Sequence, residues 1–504
     1  MSLRTRKHIH VRKSTERQII KMQLSHDQEQ AKNMVVDWFY SKDSKYTPCI
    51  VTGAAGTGKT TTVKEIIKAL HIDPTKQLVL AQTASATTNI MIKSAEGVSA
   101  KTIASTLKQP TVYITLHDLR DRPLKTYSDV SMGDISSLED FYKDMEEIGY
   151  KATKRAENAE LVNIGSANQS LKKHGHYLVK SVSFDTLREP DLSEFAIAVI
   201  DELGMVTHEE LNMIVKSGIP VLAVGDPHQL EPVGSQPTPL IYDKSKKYYT
   251  ELTTIHRQEG GNPILDVADA CREGLGWLQT AYNVHGDIVG YYRGQKLTPA
   301  QLASADKILT MTNKKVVSYN KDVHEYYFGA NNLLGVGEKL VITQNTKSTR
   351  GSLPILANGQ DVIIKSVKPA IEDVHAKGYE HGLLLVDLEA NGEVFEDVLL
   401  NTVDMTNPKI SAYAVENNRE VDPLVMYRRK DKERMDGYIA RNTSGEIKEI
   451  IYATYGYATT VHKAQGKEYN NVILDSAIPY PMLSQEAKLS YTAVTRAKER
   501  LIII

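Results

Sequence analysis

Short, continuously apolar runs recur along the chain, and segments with helical spacing of apolar residues lie between them. A run of this kind is typical of a strand that is buried on both faces, as in a parallel sheet covered by helices. The runs are CIVTG (49–53), QLVLAQT (77–83), FAIAVIDE (195–202), IPVLAVGD (219–226), KILTMTN (307–313), NNVILDS (470–476) and ERLIII (499–504). The pattern therefore predicts an α/β protein with two parallel-sheet cores, the second assembled from segments that are distant in sequence.

Two segments interrupt this pattern. Residues 106 to about 180 lack such a strand series and contain one clear helix, from Ser137 to Ile148, which starts with a capping box. Its apolar face is expected either to pack on its own domain or to bind a partner. Residues 335–450 alternate β-like runs with turns such as ANGE (390–393), which predicts a small β-rich domain with a hairpin.

Composition narrows the function classes. The chain has 504 residues, a formal net charge of −1 and two cysteines. A charge near zero argues against DNA binding by overall charge but is compatible with a local basic channel. Two distant cysteines exclude a disulfide scaffold and a cysteine-based zinc motif. No apolar run reaches the length of a membrane span, and the basic segment 1–23 is interpreted as a solvated tail or a transit peptide. We therefore expect a soluble intracellular enzyme.

The segment VTGAAGTGKTTT (51–62) contains the complete pattern G-x-x-x-x-G-K-T. Glycines let successive backbone N–H groups turn toward a phosphate, and the helix that follows adds positive potential. Lys59 is expected to reach the β- and γ-phosphates, and the Thr60 hydroxyl to complete the Mg²⁺ shell. The alternative is a glycine-rich turn that caps a helix. The predicted nucleotide-binding residues of this loop are Gly53, Ala54, Ala55, Gly56, Thr57, Gly58, Lys59, Thr60 and Thr61.

Two further strands end in polar residues. Asp201 and Glu202 follow an apolar run, and carboxylates at the carboxyl edge of a parallel sheet face its ligand crevice. One of them is expected to hold Mg²⁺ and the other to polarise the attacking water. Asp226 and Gln229 follow the next strand. Gln229 is expected either to sense a γ-phosphate by hydrogen bonding or to belong to a proline-rich turn.

The second half of the chain adds candidates far from the loop. Arg257 and Arg496 are expected either to complete the nucleotide site as arginine fingers or to be surface charges. His462, Gln465 and Glu468 precede a strand, and their spacing is not that of a metal site.

Taken in order, these segments resemble the motif series of superfamily 1 helicases, and most closely that of the RecD/Dda-like branch. The matching segments are LSHDQEQA, GAAGTGKTT, TIASTL, VIDE, GDPHQLEPV, LTTIHRQ, TVHKAQGKE and YTAVTRAKE. The segment IHRQEGGNPILDVADACREG is similar to phage Dda-type helicases in particular. The resemblance implies two RecA-like lobes with ATP between them, single-stranded DNA across their top, and movement from 5′ to 3′ along that strand.

The resemblance also implies a domain division and residue roles. The expected segments are 1–23 (basic tail), 24–105 and 198–255 (first, ATP-binding lobe), 106–197 (inserted hairpin/helix subdomain acting as a wedge), 256–334 and 451–504 (second lobe), and 335–450 (Src-homology-type barrel insert). The expected roles are adenine reading by Gln28, Mg²⁺ binding by Thr60 and Asp201, catalysis by Lys59, Glu202, Arg257 and Arg496, γ-phosphate sensing by Gln229, and coupling of the second lobe by Gln465, Gly466 and Glu468. The candidate DNA contacts are Thr83, Thr102, Ser105, Tyr177, Phe184, Thr460 and His462.

Some residues depart from the family pattern where it faces DNA. Gln82 and Ala84 replace a proline and a basic or histidine residue that are more usual there, and Ala104 stands where histidine is usual. In the strand-like run HYLVKSVSF (176–184), Tyr177 and Phe184 are expected either to stack on the last base pair or to pack inside the hairpin.

Three function classes stay open on these residues. They are an ATP-dependent DNA helicase of replication, recombination or repair, a nucleic-acid-stimulated ATPase that remodels without separating strands, and a small-molecule P-loop kinase. The expected cofactors are ATP and Mg²⁺. The expected partners are single-stranded and forked DNA and a single-strand-binding protein, with no membrane. The protein is expected to act as a monomer, in the cytoplasm of a bacterium or of a phage-infected host.

Overall fold

The computed structural model describes residues 24–83, 97–108, 111–120, 123–128, 143, 147, 171–183, 187–232, 235–255, 262–350, 353–368, 383–401, 439–440 and 442–504. The elements of the first lobe that precede the insert are helix α1 (His26–Phe39), strand β1 (Cys49–Gly53), helix α2 (Lys59–Leu70), strand β2 (Gln77–Ala81), strand β3 (Ser99–Thr102) and helix α3 (Ile103–Leu107).

The insert contains a small antiparallel sheet. Its strands are β4 (Thr111–Asp118), β5 (Pro123–Ser128) and β6 (His176–Ser183), in the order β5-β4-β6. The insert leaves and re-enters the first lobe at neighbouring points, because Lys108 and Leu187 form an antiparallel bridge and Arg188 N donates to Leu107 O over 2.8 Å. The two ends of the insert therefore lie side by side on the first lobe.

The first lobe then continues with strand β7 (Ile197–Ile200), helix α4 (His208–Lys216), strand β8 (Val221–Gly225) and strand β9 (Tyr249–Leu252). The strands of the lobe form one parallel sheet in the order β3-β2-β7-β8-β1-β9. Ile50 of β1 packs into the hydrophobic cluster on one face of this sheet and Val51 into the cluster on the other. Burial on both faces explains why these strands are continuously apolar.

The second lobe opens with helix α5 (Pro263–Arg272), helix α6 (Trp277–Asn283), strand β10 (Val289–Tyr291), helix α7 (Pro299–Ala303), strand β11 (Lys307–Thr310) and helix α8 (Asn313–Phe328). A barrel interrupts it, with strands β12 (Lys339–Ile342), β13 (Thr349–Arg350), β14 (Leu353–Pro354), β15 (Asp361–Lys368), β16 (Leu383–Ala390), β17 (Glu393–Asn401) and β18 (Ile450–Tyr455). Strands β12, β15, β16, β17 and β18 close the barrel, and β13 pairs with β14 beside it.

After the barrel the chain completes the second lobe with strand β19 (Ala458–Thr460), strand β20 (Tyr469–Leu474), helix α9 (Glu486–Val494) and strand β21 (Ala497–Ile503). The sheet of this lobe is also parallel, in the order β10-β21-β20-β11-β19. The predicted fold class, two parallel-sheet lobes with a hairpin-bearing insert and a small barrel, is confirmed.

Three details differ from the sequence prediction or extend beyond it. Strands β4 and β5 lie where no strand series was predicted, because antiparallel strands with polar positions lack a continuous apolar run. The barrel runs into the segment assigned to the second lobe, since β18 closes it by pairing with β12 and β17. Of the predicted helix at 137–148, the structure describes two positions, 143 and 147, both helical.

The ANGE turn was predicted correctly. Asn391 and Gly392 connect β16 to β17 with φ values of 55° and 84°, as a two-residue hairpin turn with two left-handed positions requires.

Among the helices of the described ranges, none combines the length and the apolar character that crossing a bilayer requires.

Candidate active site

The glycine-rich loop joins β1 to α2 in a conformation that depends on its glycines. Gly56 and Gly58 have φ values of 84° and 79°, in the left-handed region. A Cβ on Gly53 would lie 2.6 Å from Thr57 Oγ1, so a side chain at Gly53 would close the cradle. Lys59 starts α2, and its Nζ donates to the carbonyl oxygens of Gly53 (2.7 Å) and Ala54 (3.0 Å). The loop therefore folds around the lysine expected to bind phosphate.

Helix α1 packs against this loop through Gln28. The buried Gln28 side chain donates from Nε2 to Thr57 O over 3.0 Å, and its Oε1 accepts from Ser25 N over 3.0 Å. The residue expected to read adenine thus lies at the loop with both ends of its amide engaged, so it also fixes the position of the loop.

The neighbouring Asp27 holds the segment that leaves the first lobe. Its Oδ2 accepts the backbone N–H groups of Thr253 (2.7 Å) and Thr254 (2.8 Å). Burial opposes ionisation, but hydrogen bonds from Ser25, Thr254 and Thr253 outweigh it and hold the pKa of Asp27 well below its usual range. Asp27 therefore stays ionised and anchors the connection toward the second lobe.

The acidic pair follows β7 as predicted. Glu202 has a φ of 57°, in the left-handed region, and its backbone N–H donates to Asp201 Oδ1 over 3.0 Å. Burial and the adjacent Asp201 charge raise the pKa of Glu202 to about 7, while the charges of Arg496 and Lys59 act in the opposite direction. Charged groups from both lobes thus act on one carboxyl group.

Gln229 is held beside Asp226 after β8. The buried Asp226 carboxylate accepts from His228 N (3.0 Å) through Oδ1 and from Gln229 Nε2 (3.3 Å) through Oδ2. Gln229 Oε1 is buried and has no hydrogen-bond partner within the described ranges. An orphaned amide oxygen at this position fits a residue that takes a partner from a ligand or an ordered water.

From the second lobe, Arg496 approaches with its guanidinium group fixed in place. It is buried, and it donates to Thr492 O (3.0 Å), Lys467 O (3.0 Å) and Thr495 Oγ1 (3.1 Å). These bonds orient the group before any contact with phosphate, which is the pre-organisation that an arginine finger needs. The other expected finger, Arg257, lies outside the described residues.

The remaining second-lobe candidates divide into two groups. Gln465 Nε2 donates across the lobe boundary to Leu230 O over 3.4 Å, and its Oε1 is buried without a hydrogen-bond partner in the part of the chain that the structure describes. Gly466 follows with a φ of 71°. Glu468 instead lies at the surface, where it pairs with Lys498 over 3.3 Å. Gln465 is thus at the lobe boundary and Glu468 at the protein surface.

Tyr491 was missed in the sequence, although it is the first residue of the YTAVTRAKE motif. This buried side chain of α9 accepts a hydrogen bond from Ala55 N (3.0 Å) and donates one to Asp226 Oδ2 (3.0 Å). A tyrosine in an apolar helix is normally interpreted as a core residue, so the pattern held no sign of a contact with the glycine-rich loop.

The candidate DNA contacts lie mainly at the carboxyl edges of the two sheets. Thr83 follows β2, Thr102 ends β3 and caps α3 through Ser105 N (2.9 Å), and Thr460 ends β19. Burial lowers the pKa of the nearby His462, which favours its neutral form.

In the insert, Tyr177 is partly buried and stacks on His117, with ring centroids 5.3 Å apart. Phe184 lies outside the described residues.

These residues fit a nucleoside triphosphate with Mg²⁺. The loop offers a glycine cradle with Lys59 at its centre, Thr60 lies in the first turn of α2, and Asp201 directly follows β7 at the same edge of the sheet. Hydroxyl and carboxylate oxygens are ligands that Mg²⁺ prefers.

Comparison with known families supports this interpretation. The family model of the AAA domain matches residues 23–291, which is more than half of the chain. The chain belongs to the AAA domain family. A second family model, that of the UvrD-like helicase C-terminal domain, matches residues 455–504 of this AAA domain protein. The expected relationship to superfamily 1 helicases of the RecD-like type is thereby confirmed.

Curated relatives of the AAA domain protein include two larger proteins. It is 26% identical over 314 residues to the ATP-dependent RecD2 DNA helicase of Deinococcus radiodurans, covering 61% of this chain and 36% of the relative. It is 25% identical over 352 residues to the conjugal transfer protein TraA of Agrobacterium fabrum, covering 67% of this chain and 27% of the relative. The chain thus spans 27% and 36% of the length of these two relatives.

Among solved structures, the AAA domain protein is similar to the Pif1 helicase of Candida albicans, with 16% identity and a TM-score of 0.47, covering 96% of this chain and 94% of that one. The Pif1 helicase of Bacteroides in complex with ADP-AlF3 and single-stranded DNA gives 16% identity and a TM-score of 0.47, covering 96% and 92% of the chains. The fold assignment rests on the sheet topology rather than on these similarities.

Proposed function

We propose that this protein is an ATP-dependent DNA helicase that moves along single-stranded DNA and separates the strands of a duplex. The observation that carries the proposal is the contact between the two lobes at the glycine-rich loop, where the hydroxyl of Tyr491 in the second lobe accepts a hydrogen bond from Ala55 N in the first over 3.0 Å. A small-molecule kinase would not need this contribution from a second parallel-sheet lobe. A motor whose lobes close on ATP does need it.

In this proposal each residue at the cleft has one task. Lys59 would hold the triphosphate, and Thr60 and Asp201 would hold Mg²⁺, which would supply neutralisation of phosphate charge. Glu202 orients the attacking water and accepts its proton, a task that suits a pKa near 7. Gln229 detects the γ-phosphate, and Gln28 the adenine. Arg496, together with Arg257, stabilises charge on the transferring phosphoryl group.

The strand that the motor follows is proposed to cross the carboxyl edges of both sheets. Thr83, Thr102 and Ser105 would contact it from the first lobe, and Thr460 and His462 from the second. The name of the RecD2 relative supports DNA as the track, and the motif resemblance supports movement from 5′ to 3′. Forked DNA and a single-strand-binding protein as partners, action as a monomer and a cytoplasmic location belong to the same proposal.

The wedge is proposed to be the sheet β4–β6. Leu119 and Leu124 flank the turn between β4 and β5, with 61% and 51% of their surface exposed. Arg120 and Lys125 beside them are also exposed. Apolar side chains with cations next to them suit a contact with a base-pair end and its phosphates. Tyr177 of β6 stacks on His117 of β4, its partner on the neighbouring strand.

The test uses duplexes with a 5′ or a 3′ single-stranded tail, ATP and Mg²⁺. We expect single-stranded DNA to stimulate ATP hydrolysis and the 5′-tailed duplex to be separated, whereas the 3′-tailed duplex and the Glu202→Gln variant give no separation. DNA-stimulated hydrolysis without separation of either duplex would indicate a remodelling translocase instead. ATP hydrolysis that does not respond to DNA would refute the proposal that the protein is a DNA-dependent motor.

A further inference from the structure

Helix α9 contacts the segment that carries Gln229 at successive turns. Lys488 forms an ion pair with Glu231, Tyr491 donates to Asp226 Oδ2 over 3.0 Å, and Thr492 Oγ1 accepts from Leu230 N over 3.1 Å. Tyr491 and Thr492 lie three and four positions after Lys488, so all three side chains belong to one broad face of the helix. One face of this second-lobe helix therefore follows residues 226–231 of the first lobe.

Tyr491 is the member of this face that also reaches the glycine-rich loop. Its hydroxyl accepts from Ala55 N over 3.0 Å while it donates to Asp226. Burial and the Asp226 charge raise the pKa of Tyr491, so the hydroxyl keeps the proton that it donates. The hydrogen bonds thus run in one direction, from the loop amide through the hydroxyl to the carboxylate.

The same carboxylate oxygen positions Gln229. Asp226 Oδ2 accepts from both Tyr491 Oη (3.0 Å) and Gln229 Nε2 (3.3 Å). Because the carboxylate is buried, loss of one donor leaves it short of a partner and allows it to move. The orientation of the Gln229 amide therefore depends on a hydroxyl group that belongs to the other lobe.

The Tyr491 hydroxyl also accepts the hydrogen bond of the Ala55 backbone N–H, a donor that a bound phosphate would use. Backbone N–H groups of such a loop donate to nucleotide phosphates. A phosphate oxygen that binds the Ala55 amide must displace the hydroxyl, and displacement releases the link between α9 and the loop. Phosphate binding at the loop thereby changes the hydrogen bonding of Asp226, and with it the position of Gln229 and of the second lobe.

We propose that Tyr491 is a positioning residue that couples the phosphate-binding loop and Gln229 to movement of the second lobe, and so makes ATP turnover responsive to DNA. The inference rests on the proposed function, because it concerns how the same ATP site is regulated.

The test is Tyr491→Phe, which keeps the ring and its packing and removes only the hydroxyl. We expect DNA-stimulated kcat to fall about tenfold and DNA-free kcat to fall less, since one lost hydrogen bond in a transition state has the size of the larger effect. We also expect nucleotides to bind about 3- to 10-fold more tightly, because the Ala55 amide no longer has to exchange a partner. The readout is the ratio of DNA-stimulated to DNA-free kcat, with nucleotide affinity from equilibrium titration.

The matched control is Tyr469→Phe in the same lobe. The Tyr469 hydroxyl is buried and has no hydrogen-bond partner among the residues that the structure describes. Its removal should leave both the ratio and the nucleotide affinity unchanged. Partial loss of folded Tyr491→Phe would lower both rates by the same factor, so it cannot by itself change the ratio. An unchanged ratio therefore overturns the proposal.

A second comparison tests the route through Gln229. In a Gln229→Ala background, Tyr491→Phe should lower the ratio little further, because the group that it positions is gone. A full additional tenfold loss would overturn this route. If the wild-type protein hydrolyses no ATP, the proposed function fails by itself. Nucleotide affinity then decides the inference: tighter binding by Tyr491→Phe supports it, and equal binding overturns it.

Discussion

At the scale of single residues, Glu202 combines a rare backbone conformation with a raised pKa. Its φ of 57° is uncommon for a residue other than glycine, and such strain is often found at functional sites. Burial and Asp201 raise its pKa to about 7, close to the value that favours proton transfer at neutral pH. The backbone conformation and the raised pKa both point to a catalytic role.

The first prediction is a pH dependence of turnover. ATP hydrolysis should fall as the pH drops below about 7, because protonated Glu202 cannot accept a proton from water. Glu202→Gln should still bind ATP but turn over very slowly at every pH. The measurement is kcat at saturating ATP and DNA across this range, with ATP affinity measured separately. Near-normal turnover in Glu202→Gln would remove the catalytic-base role.

The second prediction concerns stability and has the opposite pH dependence. The folded state binds the Glu202 proton more tightly than the unfolded chain, so the contribution of this group is fully present below pH 4.5 and is lost as the pH rises to about 7. The Glu202→Gln variant has no titrating carboxyl group at this position, so it does not lose this stability as the pH rises. Its Tm relative to the wild type should therefore rise between about pH 5 and pH 8. Thermal unfolding at both pH values checks this, and a constant Tm difference would contradict it.

The third prediction tests Arg496 as a finger. Arg496→Ala should lower DNA-stimulated kcat by about 10³, the effect typical of removing an arginine finger. Arg496→Lys should recover only part of the loss, since an ammonium group cannot reproduce the three bonds of the guanidinium fork. The control is Arg500→Ala, an exposed position on β21. Unchanged turnover in Arg496→Ala, with its fold intact, would show that Arg496 is not an arginine finger.

At the scale of elements, predictability follows the environment of each strand. Strands β1 and β8 were predictable because both of their faces are buried, which requires an uninterrupted apolar run. Strands β3 (SAKT) and β9 (YTEL) are short, partly polar and lie at the two edges of the sheet, so no run marks them.

The residues of the candidate site also differ in whether the sequence could predict them. Lys59 and Glu202 were predictable because local backbone geometry at a strand end places them. Tyr491 was not, because its role depends on two hydrogen bonds to segments more than 260 positions away.

A partly buried ion network joins the barrel to the second lobe. Asp361, the first residue of β15, accepts from Lys307 Nζ (2.6 Å) and from Lys467 Nζ (2.7 Å). Lys307 is buried, and Lys467 O accepts from Arg496. Burial lowers the pKa of Lys307, and the Asp361 charge opposes that shift. The barrel thus contributes a carboxylate that Lys307 and Lys467 share beside the expected finger.

The fourth prediction follows from this charge balance. Asp361→Asn leaves two ammonium groups without their shared carboxylate and should destabilise the protein by about 2 kcal/mol. This is less than for a fully buried pair, because the Asp361 side chain is 41% exposed. Adding Lys307→Met to Asp361→Asn should recover part of the loss by removing the buried charge. Urea unfolding measures both, and a double variant less stable than Asp361→Asn would contradict the charge argument.

At the scale of the whole molecule, the proposed motor and the proposed wedge belong to different parts of the fold. The two parallel sheets and the candidate ATP site form one part, and the antiparallel sheet β4–β6 forms the other. This sheet connects to the first lobe at the bridge between Lys108 and Leu187. Residues that flank the insert are thus already neighbours, so a short linker can replace it without stretching the lobe.

The last prediction uses this geometry. Replacing residues 111–185 with a short Gly/Ser linker should leave DNA-stimulated ATP hydrolysis in place and abolish strand separation, because a motor that walks on one strand unwinds only if something rigid splits the duplex ahead of it. A smaller change, Leu119→Asp, keeps the sheet and should slow separation while hydrolysis is unchanged, since a charged tip cannot stack on a base pair. Tyr46→Asp, at an exposed tyrosine before β1, is the matched control. Both rates are measured on the same preparation. If strand separation continues at its original rate without 111–185, the wedge lies elsewhere, and the insert is better explained as a docking surface for a partner protein.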